Sequence, residues 1–269
     1  MHQQSDNAAL AGRTILAVFA HPDDESLACG GTLARLADAG VHVALLCASR
    51  GERGSVSDPE LVANDDLGSV RGRELQAAAD VLGVREVILL DHADGDLRWI
   101  DAPQFDREIV QAIERLRPDG VITFAEDGLY WHLDHIGIHE RTWDAVESLG
   151  DNAPPLYFVT IPKGVMREVV GAAMTRGALP SDSRFWGIEP DAFGAAAPPA
   201  AFVVDVRDWV PRKLAALRCH RTQMGTNNPF AWIDDGDARK VLGLEYFRRA
   251  PIPSRWHSGL ELLGEPVAL

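Results

Sequence analysis

Residues 20–25 read AHPDDE and put one imidazole and three consecutive carboxylates into a single short stretch. A second stretch, EDGLYWHLDH at 126–135, carries the same residue types, with His132 and His135 three positions apart. Imidazole and carboxylate donors suit a divalent ion, zinc foremost. A phosphate cradle would instead place glycines in the first stretch, but Gly30 and Gly31 come too late and make no GxGxxG. Three carboxylates there would also repel phosphate unless a cation intervened. Neither cluster carries the case alone; a metal site follows only if the fold brings them together.

The elements around the clusters say how that could happen. TILAVFA at 14–20 is an apolar run too short for an amphipathic helix and reads as a buried strand ending at His21. After HPDDES, leucines at helical spacing (Leu27, Leu33, Leu36) run to a stop at Gly40, and VHVALLCA at 41–48 reads as the next strand. The alternation continues with a helix over 70–82, a strand at 86–90, a helix over 104–116, a strand at 120–124, a helix from near Asp134 to about Leu149 and a strand at 156–160. Such a rhythm predicts an α/β fold: a Rossmann-like three-layer sandwich with a mostly parallel sheet. In the doubly wound order 3-2-1-4-5, strands one and four are neighbours, so the loops at their carboxyl ends face one crevice.

The second half is less regular. Glycine and proline punctuate residues 171–200, a strand follows at 201–206 and a helix over Val210 to His220. The expectation is one domain over 1–269, with a flexible N-terminus at 1–12, the α/β core at 14–160 and an appended C-terminal lobe and rim at 161–269.

AHPDDE at Ala20–Glu25 together with HLDH at His132–His135 resembles the signatures of the PIG-L/LmbE-like family of zinc-dependent N-acetylglucosaminyl deacetylases. Leu133 stands where the family usually has proline, a change in loop stiffness that removes no donor. SRGERG at 49–54, RGRE at 71–74, DHADGDL at 91–97 and HRTQ at 220–223 extend the similarity along the chain. The resemblance implies one ion per chain held by His21, Asp24 and His135, with zinc expected and ferrous iron open as an alternative. It implies Asp23 as general base, His132 as an imidazole assisting the transition state or the leaving group, and Asp134 as a carboxylate orienting His132 or another imidazole. Tyr130 would help polarise the substrate carbonyl, and Arg71 and Asp94 would bind sugar. Trp131 could stack on a sugar face and His220 could reach the rim. The chemistry of the residues agrees, since two imidazoles and one carboxylate with a position left for water form a catalytic zinc arrangement.

Plainer roles stand beside these. Glu25 reads as an acceptor for loop amides, His139 as structural because Ile136 rather than glutamate follows His135, and Cys29, Cys47 and Cys219 as thiols without a CxxC pattern. The implied activity is hydrolysis of the N-acetyl group of a small N-acetylated sugar conjugate. A metal-dependent phosphoesterase or a non-catalytic metal-stabilised binding protein are the rivals. A formal net charge of -14, from 40 acidic and 26 basic residues, argues against nucleic acid and anionic membranes as partners. Met1 to Asn7 has neither a basic start nor an apolar stretch, and no run is long enough to span a bilayer, so cytoplasmic residence is expected.

Overall fold

The computed structural model describes residues 10–178, 184–254 and 260–267. Most of the stretch expected to form a flexible N-terminus, residues 1–9, lies outside the described residues. The strands of the first half are β1 (Thr14–Phe19), β2 (His42–Ser49), β3 (Glu86–His92), β4 (Gly120–Phe124) and β5 (Leu156–Thr160). Between them run α1 (Asp24–Asp38), α2 (Leu67–Leu82), α3 (Ala102–Leu116), the short kinked α4 (Gly128–Trp131) and α5 (Leu133–Ser148). β1, β2, β4 and β5 are apolar nearly throughout because helices cover both faces of the sheet. Helix ends follow local chemistry: the Asp66 carboxylate caps α2 by accepting from Ser69 N at 2.9 Å, and Gly83 ends it in the left-handed conformation.

The sheet has the order β3-β2-β1-β4-β5-β7-β6-β8, and its first five strands are parallel. The expected order of those five strands holds. β1 and β4 pair directly (Leu16 opposite Val121), so the loops leaving their carboxyl ends lie side by side.

The appended C-terminal part continues the same sheet. It contributes α6 (Val165–Thr175), β6 (Phe202–Asp205), α7 (Val210–Cys219), α8 (Asp235–Val241), β7 (Leu244–Arg249) and β8 (Gly264–Pro266). β7 pairs antiparallel with β5 and with β6, and β6 pairs antiparallel with β8. α7 packs on α1 and α2, so the C-terminal part braces the helix that begins at the first cluster.

One buried ion pair makes that brace specific. α1 breaks its helical geometry at Cys29 (φ -146, ψ 27), which frees backbone amides in mid-helix. Glu245 of β7 accepts from Gly31 N at 2.9 Å and Thr32 N at 2.7 Å, acting as a cap supplied from a distant strand. Lys213 of α7 neutralises it, Nζ to Oε1 at 2.6 Å, with both side chains buried. Gly31 is required for this approach, since a Cβ there would lie 2.6 Å from Val206 Cγ2.

Candidate active site

His21 ends the β1 loop and His135 lies in the first turns of α5, beyond β4. Their rings meet with His21 Nδ1 and His135 Nε2 3.3 Å apart. Asp24, at the start of α1, faces both: Oδ2 is 3.4 Å from His21 Nδ1, and Oδ1 is 3.2 Å from His135 Nε2. Its other contact, accepting from His21 N at 2.7 Å, folds the loop back on itself.

The remaining ring nitrogens settle which atoms carry protons. His135 Nδ1 lies 3.1 Å from the Gly128 carbonyl and must donate to it. His21 Nε2 lies 3.1 Å from both Asp134 Oδ2 and Asp94 Oδ1 and must donate there. His21 Nδ1 and His135 Nε2 therefore present lone pairs to each other and to the Asp24 carboxylate. With both imidazoles neutral, three acceptors converge with no proton of their own between them, an arrangement that added positive charge, a metal ion or a proton on His21, satisfies. Bonds of about 2.0–2.1 Å in a tetrahedral zinc site separate donors by about 3.3–3.4 Å, close to the spacings found.

The protonation energetics point the same way. Burial pulls the His21 pKa down, but hydrogen bonds to Asp134, Asp24 and Asp94 outweigh it and hold the group well above its ordinary value. Burial would raise Asp24, yet attraction from His135 and His21 keeps it well below the usual carboxylate range. His132 also comes close enough to His21 and His135 to share an ion, and Asp94 and Asp134 cluster with His21. The latter two are committed elsewhere. Asp134 accepts from His21 Nε2, Gly95 N and Leu97 N, and Asp94 accepts from Arg53 N. Carboxylates in that position fix the tautomer of a histidine whose other nitrogen meets a metal.

Asp23 points to the same opening. Its φ of 120 lies in a region non-glycine residues avoid. Two buried groups hold it there. Arg71 donates from Nη2 to Pro22 O at 2.5 Å and to Asp23 Oδ2 at 3.1 Å, and from Nη1 to Gly51 O at 2.9 Å. Glu25 Oε2 accepts from Asp23 N at 3.0 Å, while its Oε1 accepts from His220 Nε2 at 2.9 Å. Burial pushes the Asp23 carboxyl up to about 6 despite the neighbouring guanidinium.

His132 precedes α5 and accepts from Asp134 N through Nδ1 at 3.2 Å, which leaves its proton on Nε2. Burial and the nearby imidazoles of His135 and His21 push its pKa down to about 4, so it is a neutral donor at neutral pH. Burial likewise lifts the Tyr130 hydroxyl well above its ordinary range and keeps it protonated. His21, Asp23, Asp24, Arg71, Asp94, Tyr130 and His132 line one cavity of about 410 Å³. A larger cavity of about 680 Å³ lies at the opposite ends of the strands, beside Arg117 and Pro154, and gathers none of these groups.

Similarity to known proteins now decides the family. Residues 16–146 match the family described as PIG-L: GlcNAc-PI de-N-acetylase. A 1D-myo-inositol 2-acetamido-2-deoxy-alpha-D-glucopyranoside deacetylase of Thermobispora bispora is 35% identical over 268 residues, covering 88% of each chain. The chain belongs to the PIG-L family. It is thereby a metal-dependent amidohydrolase, and the His and Asp cluster is one that can hold a divalent ion. Among solved structures, a conserved protein of Thermus thermophilus superposes with a TM-score of 0.59 at 25% identity over 91% of this chain and 99% of that one. A 4-carboxy-2-hydroxymuconate hydratase of Pseudomonas putida superposes with 0.62 at 19% identity over 90% and 97%. The fold alone thus does not select the reaction.

Asp134 orients His21, the other imidazole that the family expectation allowed, rather than His132. Three placements differ from the expectations. Arg71 is 4% exposed and spends its hydrogen bonds on the Asp23 loop and on Gly51 O, although it touches the cavity. His220 is fully buried behind Glu25 instead of at a rim, and Trp131 is 58% exposed and off the cavity lining. The lining also includes Arg53, Ser55, Trp186, Ile188 and Gln223. Gln223 falls within the HRTQ stretch, so a motif marked it; nothing in the local pattern singled out Trp186.

Proposed function

We propose that this PIG-L family member removes the N-acetyl group from an N-acetylglucosamine-type conjugate, using one divalent ion, zinc by preference, held by His21, Asp24 and His135. The observation that carries the reading is the convergence of His21 Nδ1, His135 Nε2 and Asp24 with lone pairs facing one another. A divalent ion in that set supplies acidification of water and polarisation of the amide carbonyl.

The chain's own residues do the rest. Asp23, ionised above about pH 6 and locked by Arg71, takes the proton of the attacking water. His132 Nε2–H and the Tyr130 hydroxyl, both neutral donors beside the cavity, meet the oxygen as it gains negative charge. As the C–N bond breaks, the proton held on Asp23 passes to the leaving amine, which yields acetate and a free amino sugar. The relative from Thermobispora bispora acts, by its name, on an inositol-linked N-acetylated sugar, and that supports a conjugate of similar kind here.

A two-metal phosphoesterase would need further free carboxylates about 4 Å away. Asp94 and Asp134, the nearest ones, are occupied by His21 and by backbone amides. The test is a screen of metal-loaded protein against N-acetylated amino-sugar conjugates and phosphate esters, reading acetate, free amine and phosphate. Stoichiometric acetate and amine are expected. Phosphate release without acetate, or no product at full metal content, would overturn the reading.

A further inference from the structure

An aspartate at the N-cap of a helix ordinarily has extended backbone and spends its carboxylate on the first-turn amides. Asp23 holds that position before α1 and does neither: its φ is 120, and its side chain makes no capping bond. In a capping box, an acidic residue of the first turn reaches back to the N-cap N–H while the N-cap side chain reaches forward. Here only the backward half is made, with Glu25 Oε2 accepting from Asp23 N at 3.0 Å. The Asp23 carboxylate is thereby kept out of the helix and in the cavity. That choice forgoes a cap worth about 1 kcal/mol and keeps strained backbone, so something must enforce it.

Glu25 is itself fully buried, and its Oε1 is fixed by two donors, Ser26 Oγ at 2.5 Å and His220 Nε2 at 2.9 Å. Ser26 belongs to the same loop and moves with it. His220, 195 positions away, ties the carboxylate to the rest of the molecule. Its imidazole is fully buried, and Nδ1 meets no partner among the described residues, so Glu25 is the one hydrogen-bonding task of the ring. The turn that carries it is anchored to α2, where buried Glu74 accepts from Thr222 N at 2.8 Å and Thr222 Oγ1 at 2.6 Å. Arg71, one turn earlier on α2, holds the Asp23 carboxylate and the Pro22 carbonyl. One helix thus fixes the Asp23 side chain through Arg71 and its backbone N–H through Glu74, the His220 turn and Glu25. Asp24 has a separate support, its carboxylate accepting from His21 N at 2.7 Å and its own N donating to His21 O at 3.3 Å.

We propose that His220 is a positioning residue for the base: acting through Glu25, it holds Asp23 in the uncapped, positive-φ conformation that aims the carboxylate into the cavity. The inference rests on the deacetylase reading for what Asp23 does there. Two substitutions separate the hydrogen bond from the bulk of the ring, since His220→Leu removes the donor and His220→Gln keeps one. Metal-loaded His220→Leu should lose about 10- to 100-fold in kcat on an N-acetylglucosamine conjugate, the effect of displacing a reacting group by roughly 1 Å. Its KM, and its metal affinity read by chelator competition, should stay within about twofold. His220→Gln should recover most of the kcat. Crystal structures supply a readout without turnover: His220→Leu should show Asp23 at negative φ with its carboxylate on a first-turn amide of α1, and His220→Gln should keep the wild-type conformation. If His220→Leu does not fold, Glu25→Asp takes its place, because the shorter side chain cannot span His220 and Asp23 N together; the same split is expected. Unchanged kcat or an unmoved Asp23 in the donor-deleted variant, parallel losses of kcat and metal affinity, or no recovery in His220→Gln would overturn the positioning role. A displaced Asp23 in a protein whose wild type releases no acetate from any conjugate would instead remove the deacetylase reading and leave the positioning role standing.

Discussion

Neighbouring residues in AHPDDE do different work because their side chains leave a tight loop in different directions. Asp24 starts a helix and meets two imidazoles, whereas Asp23 is held at φ 120 by Arg71 and Glu25. Two separable outcomes follow. Removing a convergent donor, as in His135→Ala, should drop bound metal well below one ion per chain on elemental analysis; unchanged occupancy would take His135 out of the metal set. Asp23→Asn should keep its metal but lose turnover by about 10²–10⁴, the usual scale for a positioned base. In the proposed mechanism the wild-type acid limb comes from the same group. Only ionised Asp23 accepts a proton, so rate falls as pH drops through about 6, or through a lower value once a nearby cation favours the charged form. A pH–rate profile with no such limb, in a variant comparison at matched metal content, would assign the base elsewhere. His132 adds no limb near neutrality, because it is already neutral there. These residue types and their spacing were legible in the sequence. Which imidazole Asp134 orients was not, because that depends on how α5 docks against the 93–97 loop, and HLDH spacing carries no information about it.

At the scale of elements, sequence periodicity located β1 to β5 and the long helices α1, α2, α3 and α5 because each is a strongly apolar or strongly periodic run covered by its neighbours, whereas the short kinked α4 lies in a stretch that reads as a loop. The C-terminal elements were harder for a physical reason. β7 reads LEYFRR, with Glu245 pointing inward, so its alternation looks like that of a polar loop. Its burial makes sense only with Lys213 and the amides of a kinked helix more than 200 positions away. Val165–Thr175 forms a helix within a segment whose flanking glycines and prolines obscured it. The Glu245 pair therefore offers a test of how the lobe supports the site. Lys213→Met should leave a buried carboxylate uncompensated and cost about 3–5 kcal/mol in denaturant unfolding, the range for breaking one half of a buried pair. Because Glu245 caps the segment of α1 that follows Asp24, the variant should also bind metal more weakly. A loss under about 1 kcal/mol would mean that Glu245 is protonated or solvated and that the brace lies elsewhere.

For the whole molecule, the proposed metal set of His21, Asp24 and His135 would fasten the loop after β1 to the helix after β4, two parts of the chain more than 100 residues apart, and so link binding to folding. Ligand that binds only the folded chain adds about 2.7 kcal/mol at a free concentration about 100-fold above Kd. A thermal melt of metal-loaded and chelated protein measures that linkage. In the chelated protein a proton on His21 takes over part of the cation's task. The ordinary pKa of His21 is 6.5, and the fold holds it well above that. Its contribution to stability is therefore fully present below about pH 6.5 and is lost as pH rises through the folded-state value. His220 is also raised, by Glu25 against its burial, but it contributes alike with and without metal and cancels in the difference. The carboxylates held down by the site, Asp24 and Asp94 among them, lose their contribution only in acid, outside this window. The gap in melting temperature between metal-loaded and chelated protein should thus widen as pH rises from about 6.5 to about 9, since the proton withdraws while the cation stays. Changing His21 to Ala should abolish most of the gap at every pH. A gap that narrows with rising pH in the wild type would mean that His21 does not present Nδ1 to the metal, and the tautomer drawn from Asp94 and Asp134 would have to be reversed.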